Sequence, residues 1–482
     1  MKRLLAALGL ALSCAGCLVG PNYHRPAVAT PPAYRGIEAP DAGSGAGGTD
    51  KAVPLGAQKW NTVFTDPVLQ SLIEEALRNN FDVRVAADRV LEQQAQVGIT
   101  RAAQFPTVTG GGSFDAVGLP GNLLKSLSNS SNNSGSNKSS SSSNTEVGGL
   151  TASVAFNLDF WGLYRRQTEA ARAQLRATEW ARQVTFSTLV EDVATAYYEL
   201  RTLDAELDIT KQTLSARQQS LDLTRKLDEG GARTLADVRQ AEQLAFTAEA
   251  QIPDLERQIA QQENGLSILL GRSPGPIARG QAIADIPHRA NVPVGLPSDL
   301  LERRPDIRRA EELLVQANAN IGAARAQYFP QLPLSATGGS ASDRLLSILA
   351  SGNLYYYATA TLTQTIFDGG KIRGNYRLAQ AQHKELLDTY QQTILGALRD
   401  VSNALSAYTK TREFSEKQER ETAAADDAVR LARMRFEAGA TSFLEVLTND
   451  ANLYSSQLTL KGAQEQEALA LVQLYNALGG GW

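Results

Sequence analysis

The chain has 482 residues, of which 43% are hydrophobic and 20% charged, and a formal net charge of −4. No basic cluster is present, which argues against a nucleic-acid partner. Cys14 and Cys17 are the only cysteines, so disulfides, thiolate zinc sites and a cysteine nucleophile are excluded from the rest of the chain. No phosphate-binding loop or nucleophile elbow is found, and no motif supports an enzyme.

Residues 1–16 have the features of an export signal, with Lys2 and Arg3 before an apolar run that is too short to span a bilayer. The segment from Ser13 to Cys17 resembles a bacterial lipobox. That resemblance implies cleavage before Cys17, diacylglycerol on its sulfur and a palmitoyl chain on its new amino group. The alternative is an ordinary signal peptide with an incidental cysteine. Leu18 in place of an aspartate implies delivery to the outer membrane.

Residues 17–66 are rich in Pro, Gly and Ala and are predicted to form an extended strap. A helix is predicted to begin at Pro67, since proline suits the first helical turn, and a second helix should cover residues 83–104. Two strands are then expected, over residues 107–114 and 151–160, where apolar and polar residues alternate in the second. By itself this alternation fits a half-buried strand of a soluble sheet equally well.

The chain contains two copies of one unit, which divide it into residues 67–280 and 281–482. Residues of the first copy recur about 208 positions later in the second. Arg225, Glu229, Gly231, Ala232 and Val238 become Arg433, Glu437, Gly439, Ala440 and Val446. Further upstream the offset is about 224 residues, and a serine-rich tract from Ser126 to Ser143 accounts for the difference. The strand hairpins of the two copies are expected at about 107–160 and 331–367.

A long helical stretch follows each strand hairpin, at about Arg166 to Glu229 and Ile372 to Glu437. At 1.5 Å per residue each would be roughly 95 Å long. Leucines recur every seven residues in the first stretch, as in a coiled-coil seam, and interspersed charges exclude a transmembrane helix. Return helices are predicted at about 234–270 and 442–478, with tips near Gly231 and Gly439.

The four predicted strands cannot close a barrel within one chain. The predicted strands are about ten residues long, which is the length that a tilted transmembrane strand needs. An open sheet edge in lipid would leave N–H and C=O groups unpaired, so copies of the chain must combine. Eight strands from a dimer and twelve from a trimer both satisfy this requirement. The serine-rich tract would then form an extracellular loop.

Several segments closely resemble the outer-membrane factor (TolC) family, and its lipidated, NodT-type members in particular. They are residues 17–26, 60–80, 295–330, 366–370 and 477–482. The resemblance implies an α+β membrane protein, internally duplicated, whose homotrimer joins a twelve-stranded β-barrel to a long periplasmic α-helical coiled-coil barrel. It also implies a passive exit duct in the cell outer membrane. Drugs, solvents or other toxic compounds would reach it from a resistance-nodulation-division pump of the inner membrane through a periplasmic adaptor (membrane fusion) protein.

The same resemblance implies the positions of the functional residues. The two tips would form the closed periplasmic end and the surface that docks the adaptor. The residues of this docking surface are Gly231, Arg435, Gly439 and Ser442. The candidates for a ring of side chains around the aperture are Asp237, Leu444, Glu445 and Asp450. Family members often carry Leu-Asp-Ala near Leu447, where this chain has Leu-Thr-Asn-Asp. The sequence therefore does not decide whether an aspartate contributes to the ring.

Two other functions remain open from the sequence. One is the exit duct of an ATP-driven protein-secretion system, and the other is an anchoring coiled-coil lipoprotein of the outer membrane that transports nothing. Met1 and Met434 are the only methionines and no histidines cluster, which disfavours a dedicated metal duct. We expect no metal, and no cofactor other than the covalent lipid on Cys17.

Overall fold

The computed structural model describes residues 18–29, 31–32, 34, 53–119, 143–285, 297–342, 348 and 350–481. The predicted signal peptide, Cys17 and nearly all of the serine-rich tract lie outside these residues. The chain divides into two compact units. The first comprises residues 1–24, 93–174 and 314–386, and the second comprises residues 25–92, 175–313 and 387–482.

The helices and strands occur in the same order in both halves of the chain, except that the four-residue helix Leu300–Arg303 of the second half takes the place of the helix Pro67–Asn79 of the first. The first half contains α1 (Pro67–Asn79), α2 (Phe81–Ala102), β1 (Thr107–Leu119), β2 (Ser143–Leu158), α3 (Leu163–Glu229) and α4 (Leu235–Leu269). The second half contains α5 (Pro305–Ala326), β3 (Leu332–Ser342), β4 (Leu354–Ala360), α6 (Lys371–Glu437) and α7 (Phe443–Ala477). Helices α2 and α5 have 22 residues each, α3 and α6 have 67, and α4 and α7 have 35. These equal lengths confirm the duplication.

The first unit contains a four-stranded antiparallel sheet in the order β1-β2-β3-β4. Thr107 at the start of β1 pairs with Ala155, and Leu158 at the end of β2 pairs with Leu332 at the start of β3. Strands β1 and β4 are the edges, and within the described residues neither pairs with a further strand. The sheet is therefore open on both sides.

Apolar side chains of this sheet are exposed. Val108 and Phe114 of β1, Val154 of β2 and Tyr356 of β4 all face outward, and Tyr356 has 90% of its surface exposed. A soluble sheet packs its apolar face against a core, so this exposure contradicts the interpretation as a half-buried soluble strand. An exposed apolar surface of this kind marks contact with a partner or with lipid.

Strand β4 is shorter than the sequence predicts. The alternation continues to Ile366, but β4 ends at Ala360 and only an isolated bridge, between Gln331 and Thr363, follows it. The neighbouring residue of β3 at this point is Pro333, which has no N–H to donate to the ladder. The regular pairing is interrupted there.

Strands β1 and β2 are longer than predicted. The pairing continues to Leu119 opposite Ser143, beyond the expected end at Phe114 and before the expected start at Thr151. Glycines in both strands, at 110–112 and 148–149, carry no side chain and therefore obscure the alternation. At its other end β2 stops at Leu158, two residues before the predicted Phe160.

The second unit is helical. Helix α1 begins at Pro67 as predicted, where the Asp66 carboxylate accepts hydrogen bonds from the Val68 N–H at 2.8 Å and the Tyr197 hydroxyl at 2.6 Å. A short helix, Trp60–Val63, interrupts the predicted strap. Gly271 and Gly479 end α4 and α7 with φ of 71° and 80°, as expected for glycine after a helix. No helix among the described segments is both long and apolar enough to cross a membrane.

Candidate functional site at the helical tips

The two helical hairpins turn by the same backbone motif. In the first tip (residues 230–234), Gly231 has a φ of 71° and Ala232 N–H donates to Leu227 O at 2.8 Å. In the second tip (residues 438–442), Gly439 has a φ of 73° and Ala440 N–H donates to Arg435 O at 2.8 Å. Both turns are Schellman motifs, which require the left-handed conformation that glycine adopts without strain.

The two return helices begin differently. Helix α4 starts with a capping box, in which the Asp237 carboxylate accepts from Thr234 N–H at 3.1 Å while the Thr234 hydroxyl accepts from Asp237 N–H. At the equivalent place in the second tip, Glu445 accepts from the Thr441 hydroxyl and from Arg435 at 2.8 Å. The first tip thus uses its carboxylate as a helix cap, whereas the second uses it in an ion pair.

The two hairpins share one apolar cluster just behind their tips, called here the tip core. It consists of Leu221, Val238, Ala241 and Ala245 from the first hairpin and Ala432, Phe443, Val446 and Leu447 from the second, all buried. Phe436 packs on Phe443 with ring centroids 5.2 Å apart. The guanidinium of Arg233, in the first tip, lies 4.3 Å from the Phe436 centroid, a cation–π contact that joins the tips.

Arg217 of α3 connects both hairpins below the tip core. It is 5% exposed, and its Nε donates to Asp450 Oδ2 of α7 at 2.8 Å. Its Nη1 donates to Leu244 O of α4 at 2.9 Å, and its guanidinium lies 5.1 Å from the Tyr454 ring centroid. Arg433 approaches the other Asp450 oxygen at 3.6 Å. A buried charge is tolerated only when it is paired and hydrogen-bonded, and Arg217 meets both conditions.

A cavity of about 340 Å³ lies between the hairpins at this level. Leu223 and Phe436 line its apolar part, and Arg217, Arg433 and Asp450 line its polar part. The hairpins are therefore not closely packed over their whole contact. The ion pair and the tip core both border this gap.

The structure groups some of the predicted site residues and separates others. Arg435, Gly439, Ser442 and Glu445 surround the second tip, where Ser442 is the N-cap of α7. Asp450 lies apart from them, in the ion pair with Arg217. Leu444 is exposed, and Asp237 serves as a helix cap. Cys17 lies outside the described residues.

Sequence reasoning missed two residues of this site, Arg217 and Arg233. Arg217 and Asp450 are 233 residues apart, and no spacing rule relates them. The capping role of Asp237 did have a signal, since Thr234 and Asp237 stand three residues apart at the start of a helix.

Comparison with known proteins agrees with this architecture. The sequence model of the family described as outer membrane efflux protein matches residues 72–272 and 296–480. The chain is 34% identical over 495 aligned positions to the toluene efflux pump outer membrane protein TtgC of Pseudomonas putida, covering 100% of this chain and 96% of that protein. It is 32% identical over 479 positions to the cation efflux system protein CusC of Escherichia coli, covering 98% of each. A crystal structure of CusC superposes with a TM-score of 0.84 at 29% identity, over 96% of this chain and 99% of that one.

Proposed function

The chain belongs to the outer membrane efflux protein family, and from that premise we propose that three copies form a passive exit duct for small toxic compounds such as drugs and solvents. The chain is an outer-membrane channel of an efflux system. Among its relatives, TtgC is named for a toluene efflux pump and CusC for a cation efflux system. The few methionines and scattered histidines of this chain favour an organic cargo over metal ions.

The open sheet is the observation that carries the proposal. Its edge strands β1 and β4 leave backbone groups unpaired on their outer sides, and several of its apolar side chains are exposed. In lipid such edges must pair, which β4 of one copy and β1 of the next would achieve. An eight-stranded barrel is just wide enough for its own side chains to fill. Twelve strands from a trimer leave room for a lumen, so the trimer suits a duct better than a dimer does.

As a passive duct, the chain would depend on partners for energy and cargo. The partners would be a periplasmic adaptor and a resistance-nodulation-division pump of the inner membrane. The tips suit the docking of an adaptor, since apolar side chains are exposed at both of them. Leu235 stands at the first tip, and Met434 and Leu444 stand at the second. Exposed apolar groups of this kind mark a protein interface.

A lipid anchor on Cys17 is the other part of the proposal. The lipobox-like segment before Leu18 supports it. The cysteine would carry S-diacylglycerol and N-palmitoyl groups, and several chains on one residue give stable anchoring where a single chain gives only reversible binding.

Disulfide trapping tests the barrel. The chain has no cysteine beyond position 17, so introduced cysteines can be assigned without ambiguity. A cysteine at Tyr356 of β4 is combined with one at each position from 108 to 116 of β1, and oxidised membranes are run without reductant. We expect covalent trimers for one or two adjacent β1 positions. A cysteine at Thr151 of the interior strand β2, with the same Tyr356 partner, is the control and should give no product between copies. Dimers alone would show that the trimer is wrong.

Photochemical capture tests the partners. A photoreactive side chain at Ser442, beside the second tip, is irradiated in native cells and its adducts are identified by mass spectrometry. An adaptor of a proton-driven efflux pump is the expected product. Capture of an adaptor of an ATP-driven secretion system would support the duct but would indicate a different cargo. Capture of no periplasmic protein, with the trimer intact, would contradict docking at the tip.

A further inference from the structure

The first described residues of the chain occupy a specific site in the first unit. The N–H of Val19 donates to Trp161 O at 3.2 Å. Leu18 lies against Gly162 so closely that a Cβ there would come within 3.0 Å of the Leu18 side chain. Residues 18–22, called here the docked strap, thus lie against the loop that joins β2 to α3.

Arg166, in the first turn of α3, is the centre of this site. It is 1% exposed, and its Nη2 donates to Asn22 Oδ1 at 3.0 Å. Further N–H groups reach Val19 O and Gly20 O, both at 3.4 Å, and the remaining bond goes to Glu169 at 2.8 Å. Three of the four acceptors therefore belong to the docked strap. A buried guanidinium is costly without acceptors, so the strap satisfies a charge that the fold has placed there.

The backbone of the docked strap fits this site closely. Gly20 has a φ of 110°, and a Cβ at Gly20 would lie 2.4 Å from the Cα of Gly322 in α5. A Cβ at Gly322 would in turn lie 2.8 Å from Nε of Arg166. Asn318, one turn earlier in α5, donates to Pro21 O at 3.0 Å. Such close backbone approach requires glycine at both positions, which makes the site selective for this segment of the chain.

The site lies where two neighbouring strands meet the helices. Trp161 follows the end of β2, stacks on Phe329 at 4.7 Å between centroids, and donates to Pro330 O at 2.8 Å just before β3 begins. Aromatic residues at the ends of the strands are typical of the membrane interface in outer-membrane barrels. Leu18, the first residue of the docked strap, therefore lies at the helix-proximal ends of β2 and β3.

We infer that Arg166 is the positioning residue of the lipid anchor, because it fixes residues 18–22 so that acyl chains on Cys17 enter the membrane beside the ends of β2 and β3. This inference rests on the lipidation of Cys17 proposed above. The acylated residue precedes Leu18 directly, so a docked strap confines the anchor to one place on the sheet. An undocked strap would let the anchor range over the surrounding lipid.

Spin labelling of the strap tests this inference. Pro21 has an exposed side chain and its contact with Asn318 uses the backbone oxygen, so Pro21→Cys can carry a nitroxide without disturbing the site. In full-length protein in native outer membranes we expect an immobilised line shape. Arg166→Gln should replace it with a narrow, mobile one, because the amide cannot supply the four bonds of the guanidinium. The trimer content of the membranes and the mass of the lipidated N-terminal peptide should stay unchanged.

Two further variants complete the design. Arg172→Gln removes an exposed arginine of the same helix and should leave the label immobilised. Gly20→Val disrupts the site from the strap side with Arg166 intact, and should release the label as Arg166→Gln does, which keeps the test valid if Arg166→Gln does not fold. A label that stays immobilised in both Arg166→Gln and Gly20→Val, or that is already mobile in the parent, overturns the inference.

The number of labels per chain separates this inference from the proposed lipidation. An acylated Cys17 has no free thiol, so one nitroxide per chain is expected. Two nitroxides per chain would show that the Cys17 thiol is free, which would contradict the proposed lipid anchor. The line shapes of the parent and Arg166→Gln would still decide whether Arg166 holds the strap.

Discussion

Arg217 and Asp450 form a buried ion pair, 2.8 Å from Nε to Oδ2, that joins α3 of the first hairpin to α7 of the second. The same guanidinium also binds Leu244 O of α4. One side chain therefore connects three helices immediately behind the tips. Because a cavity lies beside this pair, its loss would not be compensated by close packing.

Removal of this pair should loosen the tips. Arg217→Ala leaves Asp450 with only Arg433, at 3.6 Å. Loss of one partner of a buried pair costs roughly 3 kcal/mol when the other charge is left unpaired, and the longer contact with Arg433 reduces this cost only in part. We expect a lower thermal midpoint of the purified protein and, in planar bilayers, a larger and more continuous conductance than that of the unmodified protein.

The pair between Arg435 and Glu445 is the matched control for stability. It has a similar length, 2.8 Å, but its side chains are 57% and 36% exposed. Exposed pairs contribute less than about 1 kcal/mol, so Arg435→Ala should change the thermal midpoint little. Equal destabilisation by Arg217→Ala and Arg435→Ala would refute the role given to the buried pair.

The sequence predicts much of this fold because two of its signals are local. The leucine repeat of the first long stretch predicts α3, the equivalent stretch of the second copy predicts α6, and Gly231 and Gly439 at equivalent places in the two copies predict the tips. Glycine in a turn between helices reflects a backbone requirement, which is visible from the residue itself. Because the chain is duplicated, the long helical stretch and the tip glycine each occur twice.

The rest of the site depends on contacts between distant parts of the chain. Arg217 resembles any other arginine of a long helix until α7 brings Asp450 to it. This contact of Asp450 could not be predicted from the sequence, and its place in an aperture ring stays a prediction. Likewise, the interruption after β4 arises from Pro333 on the neighbouring strand, and no pattern within β4 indicates it.

Substitution of Gly439 should impair docking of the adaptor at the second tip without impairing trimer formation. A Cβ at this position meets no atom within 4 Å, so only the φ of 73° opposes a side chain. Asparagine tolerates this conformation, whereas a β-branched residue does not. We expect Gly439→Val to abolish export while trimers still form, and Gly439→Asn to retain export. The measurement is dye efflux from intact cells beside trimer content on gels. Normal export by Gly439→Val would contradict docking at the second tip.

Asp237 can be tested both as a helix cap and as an aperture residue. As the third helical residue of the capping box, Asp237 should contribute roughly 0.5 kcal/mol that Asp237→Ala removes, and Asp237→Asn should cost less because the amide oxygen still accepts from Thr234. If Asp237 instead formed a ring of carboxylates in the lumen, its negative charge would favour the passage of cations. We expect cation selectivity in bilayers to be the same for Asp237→Asn and the unmodified protein. A fall in selectivity with unchanged stability would favour the aperture role.

Glu465 of α7 makes stability depend on pH. Burial, together with the charges of Glu199 and Glu206, raises the pKa of Glu465 to about 7 from its ordinary value of 4.5. The folded chain therefore binds a proton that the unfolded chain has released between these two values. By linkage, the contribution of Glu465 to the stability of the fold is greatest below pH 4.5 and falls as the pH rises toward about 7.

Glu465→Gln should remove this part of the pH dependence, because the amide keeps the shape of the protonated acid and never ionises. We expect the variant to be more stable than the unmodified protein at about pH 8, with the difference in thermal midpoint shrinking as the pH falls through about 7 toward 4.5. The measurement is helical circular dichroism on purified trimers across this range. Glu249→Gln, an exposed carboxylate of α4, is the control and should give a difference that does not vary with pH. A constant difference for Glu465→Gln would mean that the pKa of Glu465 is the same in the folded and unfolded chains.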